Sequence, residues 1–458
     1  MTTLAIHNAR VIDPELNLDG IADIVLVDGH IARIGPNEAE MVIDAERIDA
    51  TGLVVSAGFV DLHCHLREPG FEYKETIATG TAAAAHGGFT TVCAMPNTSP
   101  PIDSQASIES LLRQIEQSAQ VRVLPIGCIT VGRQGNELAP AGELVDSGVV
   151  ALSDDGDAVA DASLMQAALS YSSLFNLPVS QHAEDPSLVS EGQMHEGWVS
   201  ARLGLRGRPS SAEEIFVARD IALAEVTGGR LHIAHVSTAG SVSLIAAAKA
   251  RGVNVTAEVT PHHLTLTHEL VAFDNNYKEI DYNASAKVNP PLRMDSDLEA
   301  LGIGIRDGII DAIATDHAPH ALSDKEIEFD LAAPGISMLE TAFALAMTRV
   351  HDGTFPLGTL IRSLTSAPVR AWDLDKRTGL SGLGTLAPGA PADLVIFDPN
   401  MDWTVEPNNF LSKGKNTPIT GRTLKGKVLV TISEGEIVYE DSTVAGRLRL
   451  SARGERVS

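Results

Sequence analysis

The 458-residue chain is expected to be an α/β protein: a (β/α)8 TIM-type barrel with a small β-sandwich formed by its N- and C-terminal segments. Three observations predict this. Through the middle of the chain, short apolar runs alternate with helical stretches, the pattern of βαβ units and a parallel sheet. Both ends instead read as β structure between tight turns. Polar residues able to bind metal close several of the apolar runs, and a barrel gathers such strand ends at one mouth.

At the N-terminus, LAIHNARVID, ADIVLVDGHIARIG and ERIDATG cluster β-branched residues between DG and GP turns. Near the C-terminus, ADLVIFDP and GKVLVTISEGEIVYED do the same. Each segment is short for a core of its own, so pairing of the two into one sandwich is expected over two independent minidomains. The division expected is 1–56 and 385–458 for the sandwich and 57–384 for the barrel. The barrel runs are VVSAGFVDLHCHL, TTVCAMP, VRVLPIGCIT, VVALSDD, LPVSQHAE, RLHIAHVS, VNVTAEVTP and IIDAIATDHAPH. Between them lie stretches such as ETIATGTAAAAHGG, SQASIESLLRQIEQSA and AGSVSLIAAAKARG. Eight such units suit a barrel, and a doubly wound sheet is the rival. One long polar insert, about Thr267–Lys287, falls between the seventh and eighth runs.

Hydrophobic residues make up 44% and charged residues 21%, which excludes a disordered or fibrous chain. Aromatics are only 4%, so the core is expected to be aliphatic. The net charge is 34 − 60 = −26, which argues against nucleic acid or an anionic membrane as main partner. An anionic substrate then needs a local basic anchor. Three cysteines, Cys64, Cys93 and Cys128, fit a reducing cytoplasm better than a disulfide scaffold. MTTLAIHNARVIDPE shows no basic stretch leading into a long apolar one, so neither a signal peptide nor a transmembrane span is expected.

His63 and His65 close the first run. Residues i and i+2 of a strand share a face, so Asp61, His63 and His65 are expected to point inward. Paired imidazoles near a barrel axis are costly unless their lone pairs are used, and a divalent metal uses them. Cys64 between them points away and reads as packing. His182, His235 and Asp316 add ligands at later strand ends, and Asp155 adds a carboxylate able to bridge two metals. His232, three residues before His235, falls on the other face and is left out. Imidazole and carboxylate without thiolate suit Zn2+, and also Mn2+ or Co2+. Four His and two Asp exceed one tetrahedral zinc, so two ions per subunit are expected.

HCHLREPG, MPNTSP, ALSDDGD, SQHAED, LHIAHVS, KVNPPLR and ATDHAPH, in this order over almost the whole chain, together resemble the amidohydrolase superfamily. Within it they are similar to dihydroorotases of the bacterial long-chain type. The resemblance implies that His63, His65 and Asp316 hold one metal and His182 and His235 the other. It implies that Asp155 bridges where many relatives use a carboxylated lysine. Asp155 is preferred to Asp154 by its spacing to His182 and its place before Gly156. Some relatives fill only one metal site. Arg67, Asn97 and His320, beside His65, look like contacts to the substrate and its carboxylate. Arg67 also offers a bidentate fork on chemical grounds alone. Asn289 resembles a residue contacting the substrate ring, and Ala333–Gly335, with Pro334 and Gly335, a loop lining the other side. His262 and His263 of TPHHL are assigned to structure.

The reaction implied is reversible hydrolysis of the cyclic amide of dihydroorotate to N-carbamoyl-L-aspartate, in pyrimidine biosynthesis. Water made acidic between the cations attacks the ring carbonyl, and Asp316 moves its proton to the departing ring nitrogen. The rivals are a hydantoinase or allantoinase, a non-catalytic partner of aspartate transcarbamoylase, and a binding module. A homodimer in the cytoplasm is expected, and a complex with aspartate transcarbamoylase stays open.

Overall fold

The structure, a computed structural model, describes residues 3–42, 45–272, 282–444 and 449–450. Part of the expected polar insert, residues 273–281, lies outside the described residues.

Eight strands line up in chain order in one sheet: Phe59–Cys64, Phe89–Ala94, Arg122–Gly127, Ala151–Ser153, Val179–Gln181, Leu231–Ile233, Val255–Val259 and Ala312–Ile313. All neighbouring pairs are parallel. The sheet closes on itself beyond the eighth strand, where Cys64 bridges His317 and the His65 N–H donates to the His317 carbonyl at 2.9 Å. Asp61 tightens this seam, accepting from the Thr315 N–H at 2.8 Å and the Thr315 hydroxyl at 2.6 Å. Helices such as Ile77–His86, Gln105–Ser118, Ala162–Ser173 and Ala239–Ala250 connect the strands. Thr76, Ser104, Asp161 and Thr238 cap them by accepting backbone N–H groups of the first turn.

The two β-rich ends pair into one nine-stranded sheet. Val54–Ala57 is the join: it runs parallel to Thr3–Asp13 and antiparallel to Leu394–Thr404. Ile6, Val11, Ile24, Val55, Leu394, Ile396 and Val430 are fully or almost fully buried in its core. Each such side chain contributes roughly 1.5–3 kcal/mol through burial, so neither end needs a core of its own. Residues 405–422, between Leu394–Thr404 and the next strand Thr423–Ser433, leave this sheet and pack against the barrel. Among the described residues no helix is long and apolar enough to cross a membrane.

Candidate metal centre and substrate pocket

His63 and His65 stand two apart at the end of the first barrel strand, so both rings turn to the barrel interior. His63 Nδ1 donates to Glu258 Oε1 at 2.6 Å, and its Nε2 faces Asp155 Oδ1 at 3.4 Å and Asp316 Oδ1 at 3.5 Å. His65 is fixed the same way. Asn97 Nδ2 donates to the Asp155 carbonyl, so Asn97 Oδ1 is the atom that accepts from His65 Nδ1 at 2.9 Å. His65 Nε2 then faces Asp316 Oδ1 at 3.1 Å and Asp155 Oδ2 at 3.4 Å. On the other side of Asp155, His182 Nε2 donates to Glu184 Oε2 at 3.1 Å. Its Nδ1 lies 2.9 Å from His235 Nε2, and both face Asp155 Oδ1, at 3.6 and 3.4 Å.

Two groups of possible ligand atoms result, His63–His65–Asp155 and Asp155–His182–His235, each with its atoms within 4.8 Å of one another. Asp155 belongs to both. Asp154 is turned away, accepting from Ile129 N, Thr130 N and Thr130 Oγ1. Burial opposes charge on Asp155 and Asp316, but the surrounding imidazoles outweigh it and hold both carboxyls below their usual range.

These residues fit a divalent cation. With their outer nitrogens committed to Glu258, Asn97 and Glu184, His63, His65 and His182 turn their remaining ring nitrogens toward the two carboxylates, the donor set and outer hydrogen bonding of a metal-binding imidazole cluster. His63 Nε2 and Asp155 Oδ1 are buried and have no hydrogen-bond partner among the described residues. The backbone is bent to serve the same point: Arg67, His235 and Asp316 have φ of 61°, 33° and 43°. Such left-handed conformations cost non-glycine residues about 1–3 kcal/mol each and persist where surrounding structure enforces them.

A pocket of about 230 Å³ opens over the cluster. Its walls include His65, Asp155, His182, His235 and Asp316 and, around them, Arg67, Asn97, Asn289, His320, Pro334 and Gly335. His63 lies behind this surface, fully buried. Arg67 Nε donates to the Pro319 carbonyl at 3.3 Å, while Glu68 and Glu72 accept backbone N–H groups of Ile77 and Gly70 rather than the guanidinium. Asn289 Oδ1 has no hydrogen-bond partner among the described residues, whereas both polar ends of Asn97 already have one. His320 donates from Nε2 to the Pro334 carbonyl and accepts at Nδ1 from Lys74. Burial, with Arg67 and Lys74 nearby, holds it neutral.

Several residues of the site escaped the sequence reading. Glu258 and Glu184 are buried acids behind two of the imidazoles. Glu184 also pairs with Arg208 at 2.9 Å. His232, assigned to the other face, is in fact fully buried in the same network: Nε2 reaches Glu258 Oε2 at 3.1 Å and Nδ1 reaches Thr256 at 2.8 Å. A lone acid inside an apolar β run, as in VTAEV, is the sequence signal that was available, because a buried carboxylate demands partners.

A parallel barrel carrying inward His and Asp ligands beneath a pocket with an arginine at its rim defines a cyclic amidohydrolase of the amidohydrolase superfamily. Residues 52–241 match the family model described as Dihydro-orotase-like. A dihydroorotase of Anaeromyxobacter sp. (strain K) is 50% identical over 438 residues, covering 96% of this chain and 98% of that protein. One of Syntrophus aciditrophicus (strain SB) is 47% identical, covering 96% and 99%. Among solved structures, L-hydantoinase (dihydropyrimidinase) from Arthrobacter aurescens superposes with a TM-score of 0.84 at 25% identity, covering 96% of each chain. The chain belongs to the dihydroorotase family.

Proposed function

We propose that the chain hydrolyses the cyclic amide of dihydroorotate to N-carbamoyl-L-aspartate and catalyses the reverse ring closure. The observation that carries this reading is the set of imidazole nitrogens converging on Asp155 and Asp316 beneath Arg67. His63, His65 and Asp316 would hold one Zn2+, His182 and His235 a second, with Asp155 between them. When bound, the cations supply a water of lowered pKa and polarise the amide carbonyl. Arg67 grips the substrate carboxylate with its free guanidinium edge, beside Asn97 and His320. Asn289 offers its unpartnered amide oxygen to a ring N–H. Pro334 and Gly335 close the opposite wall. Asp316, held ionised by the adjacent imidazoles, takes a proton from the attacking water as its oxygen joins the carbonyl carbon. It returns that proton to the ring nitrogen as the C–N bond breaks.

Arg67 favours an anionic ring over the neutral rings of hydantoinase or allantoinase chemistry, and the complete ligand set supports catalysis over a purely structural partnership. The same reading divides the chain at 1–56, 57–384 and 385–458. It places the protein in the cytoplasm as a homodimer able to join aspartate transcarbamoylase, which sizing and co-purification test. The deciding experiment is a substrate panel of dihydroorotate, hydantoin, dihydrouracil and allantoin. Turnover confined to dihydroorotate is expected, and a preference for a neutral ring overturns the assignment.

A further inference from the structure

The pocket wall is not built by the barrel alone. Asn416 lies in residues 405–422, the connection between two strands of the terminal sheet, yet its side chain ends at the barrel mouth and is 3% exposed. Its Oδ1 accepts from the His320 N–H at 2.9 Å and from the Ser337 hydroxyl at 2.9 Å. Its Nδ2 donates to the Ala318 carbonyl at 3.1 Å and to the Gly335 carbonyl at 2.9 Å. One primary amide can make four such bonds, and all four are made. Three of the partners, Ala318, His320 and Gly335, line the pocket.

The surrounding chain holds the amide in place. The Ser337 N–H donates to the Asn416 carbonyl at 2.9 Å. Leu411 N and Ser412 N donate to Glu340, and Lys413 N donates to Glu75. Gly414 passes so close to Pro319 that a Cβ there would sit 2.4 Å from the proline ring, and the Pro319 carbonyl is the acceptor for Arg67. Gly335 itself has φ of 143° and no room for a side chain beside Ala318, so the wall is pinned from both faces.

We propose that Asn416 is a positioning residue of the substrate pocket: it locks the His320 side of the rim to the Gly335 wall, so the terminal sheet's connection shapes the recognition of substrate. This rests on the dihydroorotase reading of the pocket. Asn416 touches neither the imidazoles nor Asp316, so its effect falls on binding rather than on the bond-breaking step.

The test is N416D, which keeps shape and acceptors but removes both N–H donors, alongside S337A, which removes a single donor to Oδ1. In N416D the KM for dihydroorotate is expected to rise about 10-fold with kcat held within about 3-fold. Bound metal per chain stays at the wild-type level, and backbone amide exchange quickens in residues 318–337 but not around His63 and His65. S337A moves KM and exchange the same way by less, and decides the matter if N416D does not fold. A folded variant with wild-type KM and wild-type exchange at 318–337 overturns the proposal, as does loss of kcat and metal with KM unmoved. If the wild type fails to turn over dihydroorotate, the functional reading falls, and the exchange measurement alone still decides whether Asn416 braces the wall.

Discussion

Asp316 lies 3.1 Å from His65 Nε2 and 3.5 Å from His63 Nε2, close enough to serve as ligand and proton carrier together. Replacing it by asparagine keeps the shape and removes the basic oxygen. D316N is expected to fold normally and lose roughly 10²–10⁴-fold in kcat, measured by steady-state hydrolysis; near-normal turnover removes Asp316 from the proton-transfer role. Glu258 acts one step further back. Its carboxylate accepts from His63 and sits against His232, and burial is outweighed by these imidazoles, so it stays ionised. E258Q removes one acceptor and is expected to weaken metal binding about 10–100-fold, read by competition with a chromophoric chelator; unchanged affinity contradicts a ligand-orienting role. The HxH pair was legible because strand alternation has a strict period of two. His232 was misjudged for a physical reason: the strand ends at Ile233, and His235 follows in a left-handed turn, so face-counting from His235 back to His232 fails.

Among the elements, the segment after the eighth strand depends on buried lysines. Lys325 Nζ donates to the Ala333 and Gly335 carbonyls at 2.7 and 3.1 Å, and Lys287 Nζ donates to the Phe329 and Asp330 carbonyls at 2.8 and 3.1 Å. Burial, reinforced by Lys287, pushes the Lys325 ammonium down to about 7. The unfolded chain keeps its lysine proton up to about pH 10.4, so between these values unfolding takes up a proton. Stability therefore gains from this residue as pH rises from about 7 toward 10. K325M is expected to flatten that part of the stability–pH curve, measured by denaturant unfolding; an unaltered slope contradicts the assignment. The barrel strands themselves were plain in the sequence as apolar runs ending in polar residues. Their short hydrogen-bonded lengths, such as Ala312–Ile313, were not, because the eighth strand is completed by the seam through Asp61, Thr315 and His317. That seam joins residues 254 positions apart, which no local pattern reports.

For the whole molecule, pairing of the two β-rich ends followed from the physics of small cores, since neither end buries enough apolar surface alone. The reach of Asn416 from that sheet into the barrel mouth did not, because a single polar contact leaves no periodic trace. For an anionic substrate, the basic anchor that a chain of net charge −26 needs is supplied at the pocket by Arg67. The most direct measurement is metal content per chain together with dihydroorotate hydrolysis, before and after exhaustive chelation and again after adding Zn2+. Turnover that disappears with the metal and returns with it is the expected result. Undiminished turnover by metal-free protein contradicts a cation at the centre of the site.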